Sequence, residues 1–200
     1  MSGLLVPETV VQMNLDANGE AGRAWLAELP GIVGELRERW SLTAMGPAFE
    51  GGCVGFVAPV EGADGTRAVL KISYLDDETR HEGDALAFWG GDGAVRLLDA
   101  DPGIGALLLE RLEPGTSLFD HPYPSELVPL ACGVLRRLWR PAPEVHPFAL
   151  VRDLAERWAD ELPKMFERFG RPFEARLVDE AAGLCADLAE IGRASCRERV

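Results

Sequence analysis

RAVLKISYLDDETRHEGDAL, residues 67–86, decides how this chain is read. Its first seven residues alternate at the two-residue period of a strand, with Val69, Lys71 and Ser73 on one face and Ala68, Leu70 and Ile72 on the other. Lys71 is one of only two lysines among 20 basic residues. In a chain so biased toward arginine, a lysine marks a place that needs a compact, rotatable point charge instead of a planar fork. The plain alternative is a solvated lysine near a strand end, its stem lying along the sheet. Asp76 or Asp77 is placed to cap a helix over about 77–89, on one face of which Glu82, Leu86 and Trp89 recur. Glu82 therefore points where apolar side chains point. A carboxylate there needs a cation, and Lys71 on the preceding strand is the nearest candidate, with Glu78 as the rival partner for it.

Outward from this block the pattern is ordered. Residues 19–40 predict two short helices around Pro30, which breaks or kinks a helix interior. Short apolar runs separated by glycine-bearing turns follow, Leu42 to Phe49, Val54 to Val60 and Arg67 to Ser73, a meander of antiparallel strands. AVRLLDA (94–100) and IGALLLERL (104–112) flank Asp101, Pro102 and Gly103, a hairpin turn. Beyond EPGT at 113–116 only helices are predicted, near 123–139, 147–169 and 173–190. Five strands with a helix after the third, then helices alone, predict an α+β chain of protein-kinase-like layout: a five-stranded antiparallel small lobe with one helix, joined to a helical lobe. FEGGCVGF, residues 49–56, sits where such a lobe folds a glycine loop over phosphates, and the backbone amides of Gly51, Gly52 and Cys53 are the groups that loop would use. Paired glycines are also ordinary in hairpin turns, so position ahead of Lys71 and Glu82 gives the loop its weight. Neither GxxxxGK[ST] nor a GxGxxG opening a helix occurs, which removes support from P-loop and Rossmann readings.

Composition sets wider limits. Hydrophobic residues make up 47% of 200 and charged ones 26%, a globular balance with room for one domain or two small lobes. Cys53, Cys132, Cys185 and Cys196 form no CxxC pair, and His81, His121 and His146 have no metal-ligand spacing, so neither a disulfide framework nor a structural zinc is expected. A net charge of −13 argues against a nucleic-acid partner and suits a cationic ligand, though it serves solubility equally well. No membrane-span-length apolar run and no basic n-region at the start are present, which points to the cytoplasm.

The residues VLKI (69–72), the helix with Glu82, Ala85 and Leu86, FWGGDGAVRLLDAD (88–101) and GALLLERLEPGTSL (105–118) together resemble the aminoglycoside and hydroxyurea antibiotic-resistance kinases. RAWLAELPGIVGELRERWSL resembles the start of that family more weakly. The resemblance implies ATP between two lobes, with Lys71 on the phosphates, Glu82 orienting it, and the backbone of Glu110, Arg111 and Leu112 against the adenine. It implies a small cationic antibiotic as acceptor. The family's histidine–aspartate–asparagine catalytic loop and its later aspartate have no counterpart after His121 or His146. No catalytic or metal residue is therefore assigned, and the ligands for magnesium are expected in a segment this chain lacks. The last ten residues, IGRASCRERV, turn abruptly basic after an acidic amphipathic stretch and resemble the translation of a sequencing adapter. The organisation expected is a small lobe over 1–112, a partial helical lobe over 113–190 and a non-native tail over 191–200, the fragment being inactive. A catalytically silent nucleotide-binding protein, or a kinase-like enzyme for another small alcohol or sugar, are the competing readings.

Overall fold

The computed structural model describes residues 4–50, 55–77, 79–120 and 122–197. The architecture is α+β, with a five-stranded antiparallel sheet as the strand pattern predicts. Helix α1 (Glu8–Arg39) comes first, followed by β1 (Leu42–Met45), β2 (Gly55–Gly62), β3 (Arg67–Ser73), α2 (Glu82–Trp89), β4 (Leu97–Asp101) and β5 (Ala106–Glu110). A 3-10 turn at Leu118–Asp120 leads to α3 (Pro124–Leu138), α4 (Val151–Arg168) and α5 (Ala175–Arg197). The chain divides into two compact units, Met1–His146 and Pro147–Val200.

Strands lie in the order β1-β2-β3-β5-β4, every neighbouring pair antiparallel. β5 thus slots in beside β3, while α2 lies between β3 and β4 in the chain. Register places Lys71 between Val57 on one side and Leu107 on the other, and Val69 between Pro59 and Leu109. The alternation of β3 is that expected: Ala68, Leu70 and Ile72 are buried with Phe56, Ala58, Val60 and Ala106 in one core to which α1 contributes Trp25, Leu29, Val33 and Leu36. A smaller cluster joins Leu86 of α2 to Leu107 and Leu109 of β5, with Val69, Trp89 and Val95 at its margin. The sheet therefore buries one face against α1 and shares the other between α2 and a cleft.

Three expectations are corrected. The break in the first helical segment is at Gly19 (φ 54°, ψ −125°), not at Pro30, which lies inside a continuous turn of helix. Pro30 is on the exposed side while Leu29, Val33 and Leu36 are buried, so the carbonyl it releases can turn to solvent without disturbing the packed face. At Gly22 an added Cβ would collide with the Asn14 carbonyl oxygen, which shows how closely the segments before and after Gly19 approach. β1 ends at Met45 instead of reaching Phe49, because Pro47 cannot donate to the ladder, although Gly46 and Phe49 still donate to the carbonyls of Pro59 and Val57. α2 starts at Glu82 and not near Asp77, because Asp76 and Thr79 are used in a turn, Thr79 donating its amide to Asp76 Oδ1 and its hydroxyl to the Tyr74 carbonyl.

In the second unit α4 and α5 lie against each other, Phe166 meets Phe173 with ring centroids 5.4 Å apart, and Ala155, Phe166 and Val178 are buried.

Candidate functional site

Two elements bring the charged pair together. β3 presents Lys71 on the face away from α1, and after the turn closed by Asp76 and Thr79 the first residue of α2, Glu82, reaches it. Lys71 Nζ donates to Glu82 Oε1 at 2.5 Å, with the side chains 23% and 30% exposed. Such half-burial raises the value of the pair over a surface ion pair, since either charge alone would lose solvent without compensation. Glu78, the rival partner, and the glycine-loop residues Gly51, Gly52 and Cys53 lie outside the described residues.

Why α2 approaches the sheet so closely is visible at Gly83, where a Cβ would stand 3.1 Å from Leu107 Cδ2. At the start of β2, Gly55 is similarly constrained: a Cβ there would be 2.9 Å from both the Ile72 carbonyl oxygen and Ser73 Oγ.

A cleft of about 640 Å³ is lined by Phe49, Val69, Val95, Leu109 and the residues from Glu110 to Gly115; Lys71 and Glu82 are not among its lining residues, and Glu82 lines a smaller cavity of about 160 Å³ with Gly83 and Leu107. Val69 precedes Lys71 by two residues on the same face, so the Lys71 Cα stands roughly 7 Å further along the strand. Glu110 ends β5, and Arg111 and Leu112, beyond the ladder, also line the cleft. The Glu110 carboxylate is occupied elsewhere, accepting the Arg96 amide at 2.7 Å, so its contribution to the cleft is its main chain. Arg111 turns its guanidinium to Glu113 at 3.2 Å, and Arg67 reaches the other oxygen of Glu113 at 2.7 Å. Leu112 is 58% exposed.

The apolar lining residues Phe49, Val69, Val95 and Leu109 would suit a flat base, and Lys71, two residues beyond Val69 on the same strand face, would be the cation nearest for an attached anion. Magnesium has no comparable support: among the described residues no three His, Cys, Asp or Glu side chains converge as a metal-binding group.

Of the residues expected from sequence, Lys71 and Glu82 are brought together, while Glu110, Arg111 and Leu112 line the cleft, the Glu110 side chain lying opposite Ala68 on the other face of the sheet from Lys71. The walls Phe49, Val69 and Val95 and the Arg67–Glu113–Arg111 knot were not singled out by sequence. Val69 could have been, since it shares the Lys71 face; Phe49 and Val95 arrive through loops whose course no periodicity encodes.

The family described as aminoglycoside/hydroxyurea antibiotic resistance kinase matches residues 39–194. A streptomycin 6-kinase of Streptomyces glaucescens is 38% identical over 184 residues, 92% of this chain and 59% of that protein. A hydroxyurea phosphotransferase of Kitasatospora aureofaciens is 39% identical over 190 residues (92% and 54%), and a streptomycin 6-kinase of Streptomyces griseus 34% over 184 (92% and 59%). The chain thus spans a little over half the length of these relatives. With its matched region covering the sheet, α2 and the cleft edge, the chain belongs to the aminoglycoside/hydroxyurea antibiotic resistance kinase family.

Proposed function

We propose that these 200 residues form the ATP-holding part of a small-molecule phosphotransferase whose acceptor is a hydroxyl of an aminoglycoside-type antibiotic. The observation that carries this reading is the Lys71–Glu82 pair, 2.5 Å apart, on the strand face that leads into a cleft edged by Glu110–Leu112. ATP supplies the γ-phosphoryl group when bound. Lys71 would hold the phosphate end by charge-assisted hydrogen bonds, and Glu82 would keep the ammonium from swinging along the sheet. The main chain of Glu110, Arg111 and Leu112 would align the base between Val69 and Leu112, so that the phosphates run toward the glycine loop at 51–53. The boundary between the lobes falls near residue 112 in this reading.

The acceptor follows from the relatives, two of which are named for streptomycin, a cationic polyhydroxylated molecule. A net charge of −13 would attract such a cation. A second acceptor, hydroxyurea, has support of its own, because the relative named for it is 39% identical. As given, the chain has no aspartate and asparagine suitably spaced after His121 or His146, so we expect it to hold nucleotide without ordinary turnover.

Calorimetric titration of the purified chain with ATP tests the site. Lys71→Ala should weaken binding roughly ten- to hundredfold, the worth of a hydrogen bond to a charged group. Equal affinity in wild type and Lys71→Ala would overturn the assignment. For the acceptor, the chain joined to the part of the Streptomyces glaucescens relative that it does not match should transfer labelled phosphate to streptomycin; transfer to hydroxyurea alone would favour the second acceptor.

A further inference from the structure

FWGGDG, residues 88–93, is the part of the matched block that neither the cleft nor the ion pair uses. It closes α2, a helix of eight residues with Leu86 as its buried member and no basic residue in its last turn. A helix so short is marginal by itself and depends on what is packed against its ends. Its C-terminal end is served from 51 residues away. One Arg140 guanidinium nitrogen, Nη2, donates to the Trp89 carbonyl at 3.1 Å and to the Asp92 carboxylate at 3.2 Å, and the guanidinium lies 5.6 Å from the centre of the Phe88 ring. Trp89 returns the favour to the other helix: its indole Nε1 donates at 3.1 Å to the carbonyl of Leu138, the last residue of α3. Each helix thus receives a donor at its carbonyl end from the other, where the dipole favours one. The loop between them comes close enough to require glycine. Gly93 has φ +87°, and a Cβ there would stand 3.1 Å from Leu138 Cδ2.

We propose that Arg140 and Trp89 are positioning residues: by clamping the end of α2 to the end of α3 they hold Glu82, at the opposite end of the same helix, against Lys71. Glu82 and Trp89 are separated by seven residues, roughly 10 Å of rise, so α2 is a short rigid bar fixed at both ends. Released at Trp89, the bar can roll over Leu107 and carry Glu82 off Lys71. The idea rests on the reading of Lys71 and Glu82 given above, but its test needs no nucleotide.

The two lysines supply the measurement. Acylation by an activated ester, counted at Lys71 by peptide mass spectrometry with exposed Lys164 as the internal reference, reports how often the Lys71 amine is free of Glu82. Arg140→Lys keeps the charge but loses the planar fork, and Trp89→Phe keeps the ring but loses the indole donor. Either should raise the Lys71-to-Lys164 labelling ratio severalfold. Glu82→Gln should raise it too, and adding Arg140→Lys to Glu82→Gln should then change nothing further. An unchanged ratio in both single variants overturns the proposal, and so does an equal rise with and without Glu82, which would mean general loosening. Failure of the nucleotide reading would appear only in the ATP titration, so the two are told apart.

Discussion

Lys71 illustrates how one residue can be required by chemistry and constrained by packing at once. An arginine in its place keeps the charge, but the fork is wider than an ammonium and must share a half-buried position with Glu82. Lys71→Arg should therefore recover only part of the ATP affinity lost in Lys71→Ala, as the same calorimetric titration would show. Gly55 is constrained differently. Its missing side chain lets the start of β2 approach the Ile72 carbonyl and Ser73. Gly55→Ala should prise these strands apart and destabilise the protein by about 1–3 kcal/mol, the usual cost of overpacking, measured as a lowered midpoint in urea. That Lys71 and Glu82 belong together was legible from alternation on the strand and spacing on the helix. The need for glycine at 55 was not, because nothing local in the sequence says which backbone will lie across from it.

Among the elements, the β2–β3 hairpin and the α2–β4 connection show two ways of fixing a turn. In the hairpin, Asp64 accepts the Thr66 amide at 2.9 Å and the Thr66 hydroxyl at 2.8 Å. These bonds, the amide one foremost, hold its carboxyl below the ordinary carboxylate range. A carboxylate whose folded pKa is depressed stabilises the fold above its unfolded value, near 3.9, and loses that contribution as pH falls through the folded value. Thermal midpoints of wild type and Asp64→Asn should thus differ at pH 6 and converge as the pH drops toward about 2. The α2–β4 connection relies on geometry instead, with Gly90, Gly91 and Gly93 all at positive φ. Gly93→Ala combines that strain with a crowded Leu138 and should cost about 1 kcal/mol or more, or roughly 3–6 °C in the midpoint of thermal unfolding. Element type and the antiparallel meander could be read from periodicity and turn residues, whereas the insertion of β5 beside β3 could not. The position of the first helix break could not: Pro30 offers a strong local signal, whereas Gly19 wins because burial of Leu29, Val33 and Leu36 on one side carries the helix past the proline. The start of α2 was misplaced for a related reason, since Asp76 has a turn to close at Thr79 before any helix begins.

At the scale of the whole molecule, several large apolar side chains stand exposed, among them Trp139 at 88%, Phe169 at 64% and Leu184 at 59%. Surfaces of that kind favour association, so the purified chain should show a concentration-dependent increase in mass by light scattering. No helix among the described residues is long and apolar enough to cross a membrane. Acceptor-dependent ATP consumption should be absent from the chain as given; turnover of about one per second or faster would show that the groups able to activate a hydroxyl are present after all. The layout of the sheet, the helix after its third strand and the helical remainder could all be anticipated, whereas the walls of the cleft could not, because they come from loops and from strands brought side by side. That adjacency has a consequence for how the chain finds its fold. With Lys71 held between Val57 and Leu107, a slip of β3 by one residue would exchange it with Leu70 or Ile72 and drive an ammonium into the apolar layer beneath α1. The residue paired with Glu82 therefore also proofreads the sheet: a chain paired out of step carries its own penalty, and replacing Lys71 by an apolar side chain would remove the error signal along with the charge.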